Sequence, residues 1–415
     1  MTKPKTFKLS ILVLLLLMGI RLYGSTRHFH AGPMQKDPRP QTFLLSPELL
    51  IKNKDKLKKK DKELNQALAG LRQMADEALK NGPYSVTYKS KVPPSGDKHD
   101  YLSVGPYWWP DSSKADGLPY IRKDGQVNPE RQSVKDAEYH TALSRDVHLL
   151  GTAWYFTEDP RYANHAAKLL RVWFLDEATR MNPHLNYGQA IPGRTEGRGI
   201  GLIDTRNLAK LIDGVQLLKD SPALSPAEYQ GIRDWYKKYL DWMLNSPIGK
   251  DEADEHNNHG TWYDVQAVAI ALFTDQSQLA KKILEENTKA RLESQLKPDG
   301  SQPHELARTL SWNYSQMNLR GFFELAMLAE KVNLDLWNYE TADGKSIRKA
   351  FQWMLPYAEG KKQWEHKQIK PRDTNGYLEL ARVATEKYPE IDLKPLLKQQ
   401  QASTNSLLLL TNWTF

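Results

Sequence analysis

Two runs of this sequence hold residue types able to move protons. The first is Glu255-His256-Asn257-Asn258-His259-Gly260-Thr261-Trp262. Imidazole is the side chain whose proton affinity lies nearest neutrality. Asn257 or Asn258 suits the cap of a helix that begins near Thr261. A histidine fixed at such a start should lose proton affinity to the positive end of the helix dipole and stay neutral, fit to accept a proton. The two histidines, with Asp254 and Glu255 beside them, also raise a metal site. The H-E-x-x-H spacing is absent, however, and no metal is assigned.

The second run is Gln302-Pro303-His304-Glu305-Leu306-Ala307-Arg308-Thr309-Leu310-Ser311-Trp312-Asn313-Tyr314-Ser315. On an unbroken helix, Arg308 and Tyr314 would be separated by about 600° of rotation, so about 120° off one another's face. For both to meet one ligand the helix must break near Ser311, whose hydroxyl could cap a new one. The plainer reading pairs Arg308 with Glu305 on one helix face and leaves Tyr314 as a half-buried amphipathic residue. Asp264 and Glu305 offer a carboxylate pair of the kind glycosidases use, although no spacing singles them out.

Two further loops could hold a sugar polymer. Lys98, His99 and the Tyr107-Trp108-Trp109 triplet fall in one Pro-bounded loop. The three aromatics either pack beneath the fold or form a platform for sugar C–H faces. In the other loop Tyr187 precedes Arg194 and Arg198, which stand among glycines. Arginine matches a carboxylate with two parallel N–H donors. Loop arginines are also commonly just solvated.

These loops interrupt a helical chain. Apolar residues recur at i, i+3 and i+4 in ten segments, near 60–80, 133–156, 160–175, 205–219, 225–245, 261–273, 276–295, 314–331, 346–357 and 377–388. Ser225-Pro226-Ala227-Glu228 reads as a capping box with proline at the first helical position. Strand-like runs are few, and no repeat of fixed period is visible. The pattern implies paired helices stacked in an arc or ring. Pro93–Pro129, Asn182–Thr205 and Asp251–Gly260 are long non-helical stretches, with Lys297–Asn318 a fourth candidate. Loops of that length in a compact helical body usually carry function.

Composition narrows the chemistry. With no cysteine in 415 residues, disulfides, thiolate nucleophiles and Cys-ligated metals are excluded. Apolar residues at 40% suffice for a sizeable core and rule out wholesale disorder. The net charge of +8 suits nucleic acid, anionic lipid or an acidic polymer, but much of the excess lies in the run Lys52–Lys62, a solvated helix face. Lys3, Lys5 and Lys8 precede the apolar stretch Leu9–Ile20, which is short for a membrane span and suited to a signal peptide. Residues 1–25 are therefore expected to be a signal peptide or an uncleaved N-terminal anchor, residues 26–45 a spacer, and residues 46–415 the folded domain. Export to the periplasm or outside the cell follows, with no stable membrane partner beyond that anchor.

Taken together, "SGDKHDYLSVGPYWWPD", "GLPYIRKDGQVNPE", "MNPHLNYGQAIPGR", "NNHGTWYDVQ" and "QPHELARTLSWNYS" resemble the alginate-lyase domain family of polysaccharide lyases, including members that cut glucuronan. The resemblance covers about residues 60–390. It implies an all-α fold, an incomplete (α/α) toroid of paired helices with long active-site loops. It implies β-elimination on a uronic-acid polymer, giving 4,5-unsaturated uronate ends, with no cofactor. The family's catalytic pattern falls on Asn258, His259, Arg308 and Tyr314. Asn258 and Arg308 would stabilise the enolate-like charge at the uronate carboxylate. Tyr314, its pKa lowered by Arg308, would act as base, acid or both. His259 would be the base for a proton on the opposite face, or else the partner that polarises Tyr314. Tyr107, Trp108, Trp109, Lys98, His99, Arg194, Arg198, Asn257 and Tyr187 are the expected substrate contacts. The competing readings are a glycoside hydrolase on a similar toroid and a non-catalytic exported glycan-binding protein. Nucleic-acid binding explains the charge but not the Asn–His–Gly element.

Overall fold

The computed structural model describes residues 39–398 and 406–413. The expected signal peptide and most of the spacer lie outside the described residues. In chain order, α1 (Pro47–Lys58) and α2 (Lys62–Ala78) precede β1 (Leu102–Val104) and a hairpin of β2 (Trp108–Trp109) and β3 (Ile121–Arg122). Next come α3 (Asp136–Thr157), α4 (Pro160–Leu170), β4 (Tyr187–Ala190), α5 (Leu208–Leu218), α6 (Pro226–Asn245) and α7 (Pro247–Ala253). Then follow α8 (Asn258–Phe273), α9 (Ser277–Lys282), α10 (Lys289–Gln295), α11 (Pro303–Leu306) and α12 (Ser311–Glu330). The last helices are α13 (Ile347–Ala358), α14 (Asn375–Lys387), α15 (Lys394–Lys398) and α16 (Ser406–Thr411).

Local chemistry sets where many of these helices start. Ser46, Asp159, Ser225 and Ser246 each place a side-chain oxygen on a backbone N–H of the first turn, and each is followed by proline. Proline at that position gives up an N–H that would have had no helical partner. At Ser225 the reciprocal Glu228 bond completes the capping box expected from the sequence.

Side-chain pattern sets which helices go inside. Every residue of α5 is buried, as is all of α8 except His259, so neither helix has a solvated face. They form the inner layer with α3 and α12, α3 packing on α5, α5 on α8 and α8 on α12. The outer helices are more amphipathic: α4 backs α3, α6 backs α8, and α13 and α14 back α12. This is the all-α toroid of paired helices that the sequence implied.

Between α3 and α5 the backbones themselves touch. A Cβ at Gly214 would lie 2.7 Å from the Val147 carbonyl oxygen, and one at Gly151 would lie 2.7 Å from that of Gly214. Neither position has space for a methyl group.

The irregular strands position the loops. β1 pairs in parallel with β4, Leu102 opposite Tyr187 and Val104 opposite Ala190, which ties the first long loop to the second. β2 and β3 close an antiparallel hairpin, Trp108 opposite Arg122 and Trp109 opposite Ile121.

Two boundaries differ from the sequence expectation, and the C-terminal tail takes one of the forms open to it. Residues 39–45, read as the end of the spacer, are held in the body. The Asp213 carboxylate accepts N–H bonds from Phe43 (2.6 Å), Leu44 (2.9 Å) and Leu45 (2.7 Å), and Leu44 and Leu45 are buried. An aperiodic segment gives no sign that its amides will meet a buried acid. The stretch Asp251–Gly260 is mostly helical, because α7 runs to Ala253 and α8 begins at Asn258 rather than near Thr261. The apolar tail docks as a helix: α16 packs on α1 and α2, Asn53 donates to the Leu410 carbonyl (2.9 Å), and Trp413 is buried beneath Arg320.

Substituting Gly214→Ala should destabilise the protein by about 1–3 kcal/mol, the usual cost of forcing a methyl group into a packed core. Thermal unfolding checks this. A melting temperature equal to the parent's would mean that α3 and α5 separate without cost.

Candidate active site

A cleft of about 470 Å³ opens where the loops meet the N-terminal ends of α8 and α12. Its walls come from four places: Pro106, Tyr107, Trp108, Arg122 and Arg131 from the first loop; Gln189, Arg198, Ile200, Ile203, Asp204 and Arg206 from the second; Glu255, Asn257, Asn258 and His259; and Arg308, Tyr314 and Met317. Five of these residues are arginines, against the two carboxylates Asp204 and Glu255. Such a cleft favours an anionic ligand.

The proposed break between Arg308 and Tyr314 is present. α11 ends at Leu306, and α12 restarts at Ser311. The Ser311 hydroxyl does not cap it: it donates to the Lys367 carbonyl (2.6 Å), and the Ser311 backbone N–H donates to the same oxygen. The rotation lost at the break brings the Arg308 guanidinium to 3.7 Å from the centre of the Tyr314 ring, a stacked cation–π contact. Arg308 does not pair with Glu305. It donates to Asp124 through Nη2 (2.7 Å) and Nε (3.3 Å), and the Thr309 N–H and hydroxyl donate to Asp124 Oδ2. Held this way, Asp124 keeps its proton affinity well below the usual carboxylate range, burial opposing and the Arg308 and Thr309 bonds prevailing.

The Tyr314 hydroxyl meets the Tyr107 hydroxyl at 2.7 Å. Burial pushes the Tyr314 phenol far above its ordinary range, the Tyr107 phenol adds to this, and Arg308 opposes it. This corrects the expectation that Arg308 would make Tyr314 more acidic. The guanidinium lies over the ring, while the oxygen is desolvated. Tyr314 therefore rests as a protonated phenol.

Asn257 caps α8, its side chain accepting from the His259 N–H (2.9 Å). His259 Nδ1 lies 2.9 Å from Glu252 Oε1 on the buried end of α7. A carboxylate there fixes Nδ1 as the protonated nitrogen and leaves Nε2 for the cleft. Burial raises Glu252 to about 7. Burial alone would lower His259, but the Glu252 charge and hydrogen bond outweigh it and hold the imidazole above its ordinary range. The expectation of depressed proton affinity is corrected on this point, because the Glu252 carboxylate sits on Nδ1. Gly260 is required next to it, because a Cβ would lie 2.1 Å from Arg291 Nη1, which passes there to reach the Glu255 carbonyl.

Asn258 is fully buried. Its backbone N–H (2.7 Å) and its Nδ2 (2.9 and 3.1 Å) all go to the Glu305 carboxylate. Glu305 is thus a partner of Asn258 at the back of the cleft. Asp264 lies elsewhere, locked by Arg291 and Thr288 and absent from the cleft walls. The carboxylate pair considered from the sequence does not form.

Of the expected substrate contacts, the structure brings Tyr107, Trp108, Arg198 and Asn257 into the cleft walls. Arg198 bonds Gln189 through Nε (3.2 Å, carbonyl) and Nη2 (2.9 Å, Oε1), and its guanidinium lies 5.8 Å from the Trp108 ring. Five others are not among those walls. Trp109 donates to the Gln126 carbonyl under Lys123. Lys98 is exposed. His99 bonds the Arg180 carbonyl. Tyr187 lies in β4 opposite Leu102. Arg194 bonds the Tyr120 carbonyl, lies over Trp108, and lines a neighbouring hollow. Sequence reasoning missed Arg131, Arg206, Gln189, Asp204 and the partners Asp124 and Glu252. Arg206 sits at an ordinary helix start, and nothing in its neighbours marks it.

Residues 85–364 match the family model described as Alginate lyase. No curated protein matches the chain. Among solved structures, an alginate lyase from Bacteroides ovatus is 40% identical, with a TM-score of 0.86 over 90% of this chain and 99% of that one. Alginate lyase A1-III from Sphingomonas species A1 is 17% identical, with a TM-score of 0.53 over 79% of this chain and 88% of that one, and so shares the fold. A variant of that enzyme, solved with a tetrasaccharide, matches with a TM-score of 0.53 at 18% identity, over 79% of this chain and 87% of that one. With a model match over two thirds of its length and a relative this similar across nearly the whole fold, the chain belongs to the alginate lyase family of polysaccharide lyases.

Proposed function

We propose that the cleft cuts alginate or a related polyuronate such as glucuronan by β-elimination, with His259 as base and Tyr314 as acid. The observation that carries this reading is the contrast between the two groups. Tyr314 is a buried phenol with its proton in place, and His259 has one ring nitrogen committed to Glu252 and the other left for the cleft. An elimination needs one group to take the C5 proton and another to give a proton to the leaving oxygen.

A neutral His259 takes the C5 proton on Nε2. The C5–H electrons form the C4=C5 double bond, the C4–O4 bond breaks, and Tyr314 protonates O4. Tyr107 lies on the Tyr314 hydroxyl and offers a path by which that proton is replaced. No water is consumed. Charge that develops on the uronate carboxylate falls among the cleft arginines. Arg308 keeps Nη1 for it while Asp124 holds the other two nitrogens. Asn258, whose amide is given to Glu305, acts as a positioning residue rather than as a carboxylate clamp. Several donors aimed where charge develops are the largest source of rate in such reactions. The N-terminal charged and apolar run supports export of the enzyme to the periplasm or beyond, where such polymers are met.

The test is to offer polymannuronate, polyguluronate, glucuronan and hyaluronan to the purified enzyme and follow the ultraviolet absorbance of the conjugated C4=C5 uronate. Absorbance should rise on at least one polymer. Tyr314→Phe should lower kcat about 10²–10⁴-fold, the usual worth of a general acid or base. Tyr107→Phe should cost less, since it removes a neighbour of the acid and not the acid itself. New reducing ends without the conjugated product would contradict the proposal.

The His259–Glu252 pair sets the pH dependence. The base must be unprotonated, and its proton affinity is raised, so kcat/KM should climb as pH rises through neutrality. Glu252→Gln removes the charge that raises His259, so the acid limb should move to lower pH even as the maximum rate falls. An acid limb that stays in place would show that His259 is not the base.

A further inference from the structure

Beside the cleft is a second hollow, of about 590 Å³, along α3. The two share a wall, because Arg131 lines both. Its guanidinium stands 3.8 Å from Asp204, a loose pairing, and 36% of the side chain remains exposed. The hollow has a second cation, Arg145, half exposed, with Nε on Asp146 at 2.8 Å. Its walls include the half-buried ring of Tyr139, packed on the buried ring of Tyr84 with the ring centres 5.8 Å apart. The Tyr84 hydroxyl is fixed on Asp146 at 2.7 Å. Val127, on the loop that runs from the β2–β3 hairpin, also lines it and is 48% exposed.

We infer that this hollow is an outer subsite for the same polyanion, which takes a uronate residue further along the chain from the bond being cut. The inference rests on the reading of the cleft as a uronan site. A polyuronate repeats a carboxylate at every sugar, so a chain leaving the cleft past Arg131 presents its next charges to whatever lies beyond. Beyond Arg131 lie Arg145 and the half-buried Tyr139 ring, against which sugar C–H groups can pack. Glu138 also lines the hollow, exposed as Arg145 is, and the two arginines outnumber it.

The experiment compares kcat/KM on a long uronan with kcat/KM on the shortest oligouronate the enzyme cuts, for Arg145→Ala and for Val127→Trp. The first removes the outer cation and the second fills the hollow from an exposed position. Asp146 keeps Tyr84 and Asn81 as partners in Arg145→Ala, so its buried carboxylate is not stranded. Thermal unfolding of both variants checks that the fold is intact. On the polymer kcat/KM should fall about two- to fivefold, what one exposed ion pair is worth, mainly through KM. On the shortest substrate both variants should match the parent. Equal losses on both substrates, or no loss on the polymer, would overturn the subsite and leave the elimination reading untouched. A parent enzyme that forms no unsaturated product on any uronan would overturn both.

Discussion

Asp124 accepts four hydrogen bonds from one short segment, two from Arg308 and two from Thr309. This bracket joins the β2–β3 hairpin to the break between α11 and α12, parts of the chain nearly two hundred residues apart. It determines where the Arg308 guanidinium lies, and that guanidinium covers the Tyr314 ring. The same hairpin brings Tyr107 to the Tyr314 hydroxyl. A planar guanidinium held by two of its nitrogens has little freedom left, which is the preorganisation that a proton-transfer site needs. Asp124 thus gives the arginine, the phenol and the aromatic loop a common reference.

A second regularity concerns the acids behind the cleft. Glu252 holds His259, Glu305 holds Asn258, and Asp204 accepts from Tyr101, Ser103 and Gln189. Each of these carboxylates is buried and is committed to positioning a neighbour. The cleft itself is left with an excess of arginine. The protein therefore presents more cations than acids to a polyanion, while Glu252, Glu305 and Asp204 are each committed to a neighbouring side chain. A lyase of uronic-acid polymers needs both features, one to hold the chain and one to hold the proton-transfer groups still.

Much of this was legible in the sequence, and the reasons differ from part to part. The helices could be read because apolar periodicity and Ser-Pro or Asp-Pro starts are local signals. The break at Ser311 could be read because two residues that must meet one ligand cannot do so on an unbroken helix. The proton affinities could not. Whether Tyr314 is more or less acidic than usual depends on where its oxygen lies relative to Arg308, and residue order does not contain that. Glu252 was hidden because it lies seven residues before His259, across a helix end that the sequence presented as loop. Asp124 was hidden because its partners are distant in the chain. Lys98, His99, Trp109, Tyr187 and Arg194 were drawn in by residue type, but local backbone contacts hold several of them away from the cleft walls.

A crystal structure of the Tyr314→Phe variant with a uronate oligosaccharide bound across the cleft would show whether His259 and Tyr314 flank the bond that is cut. A uronate carboxylate is expected within reach of Arg308 Nη1, with O4 of that residue facing the vacated hydroxyl position at residue 314 and C5 facing His259 Nε2. A glycosidic bond seated instead over Asp204 or Glu305, with no uronate carboxylate near Arg308, would contradict it.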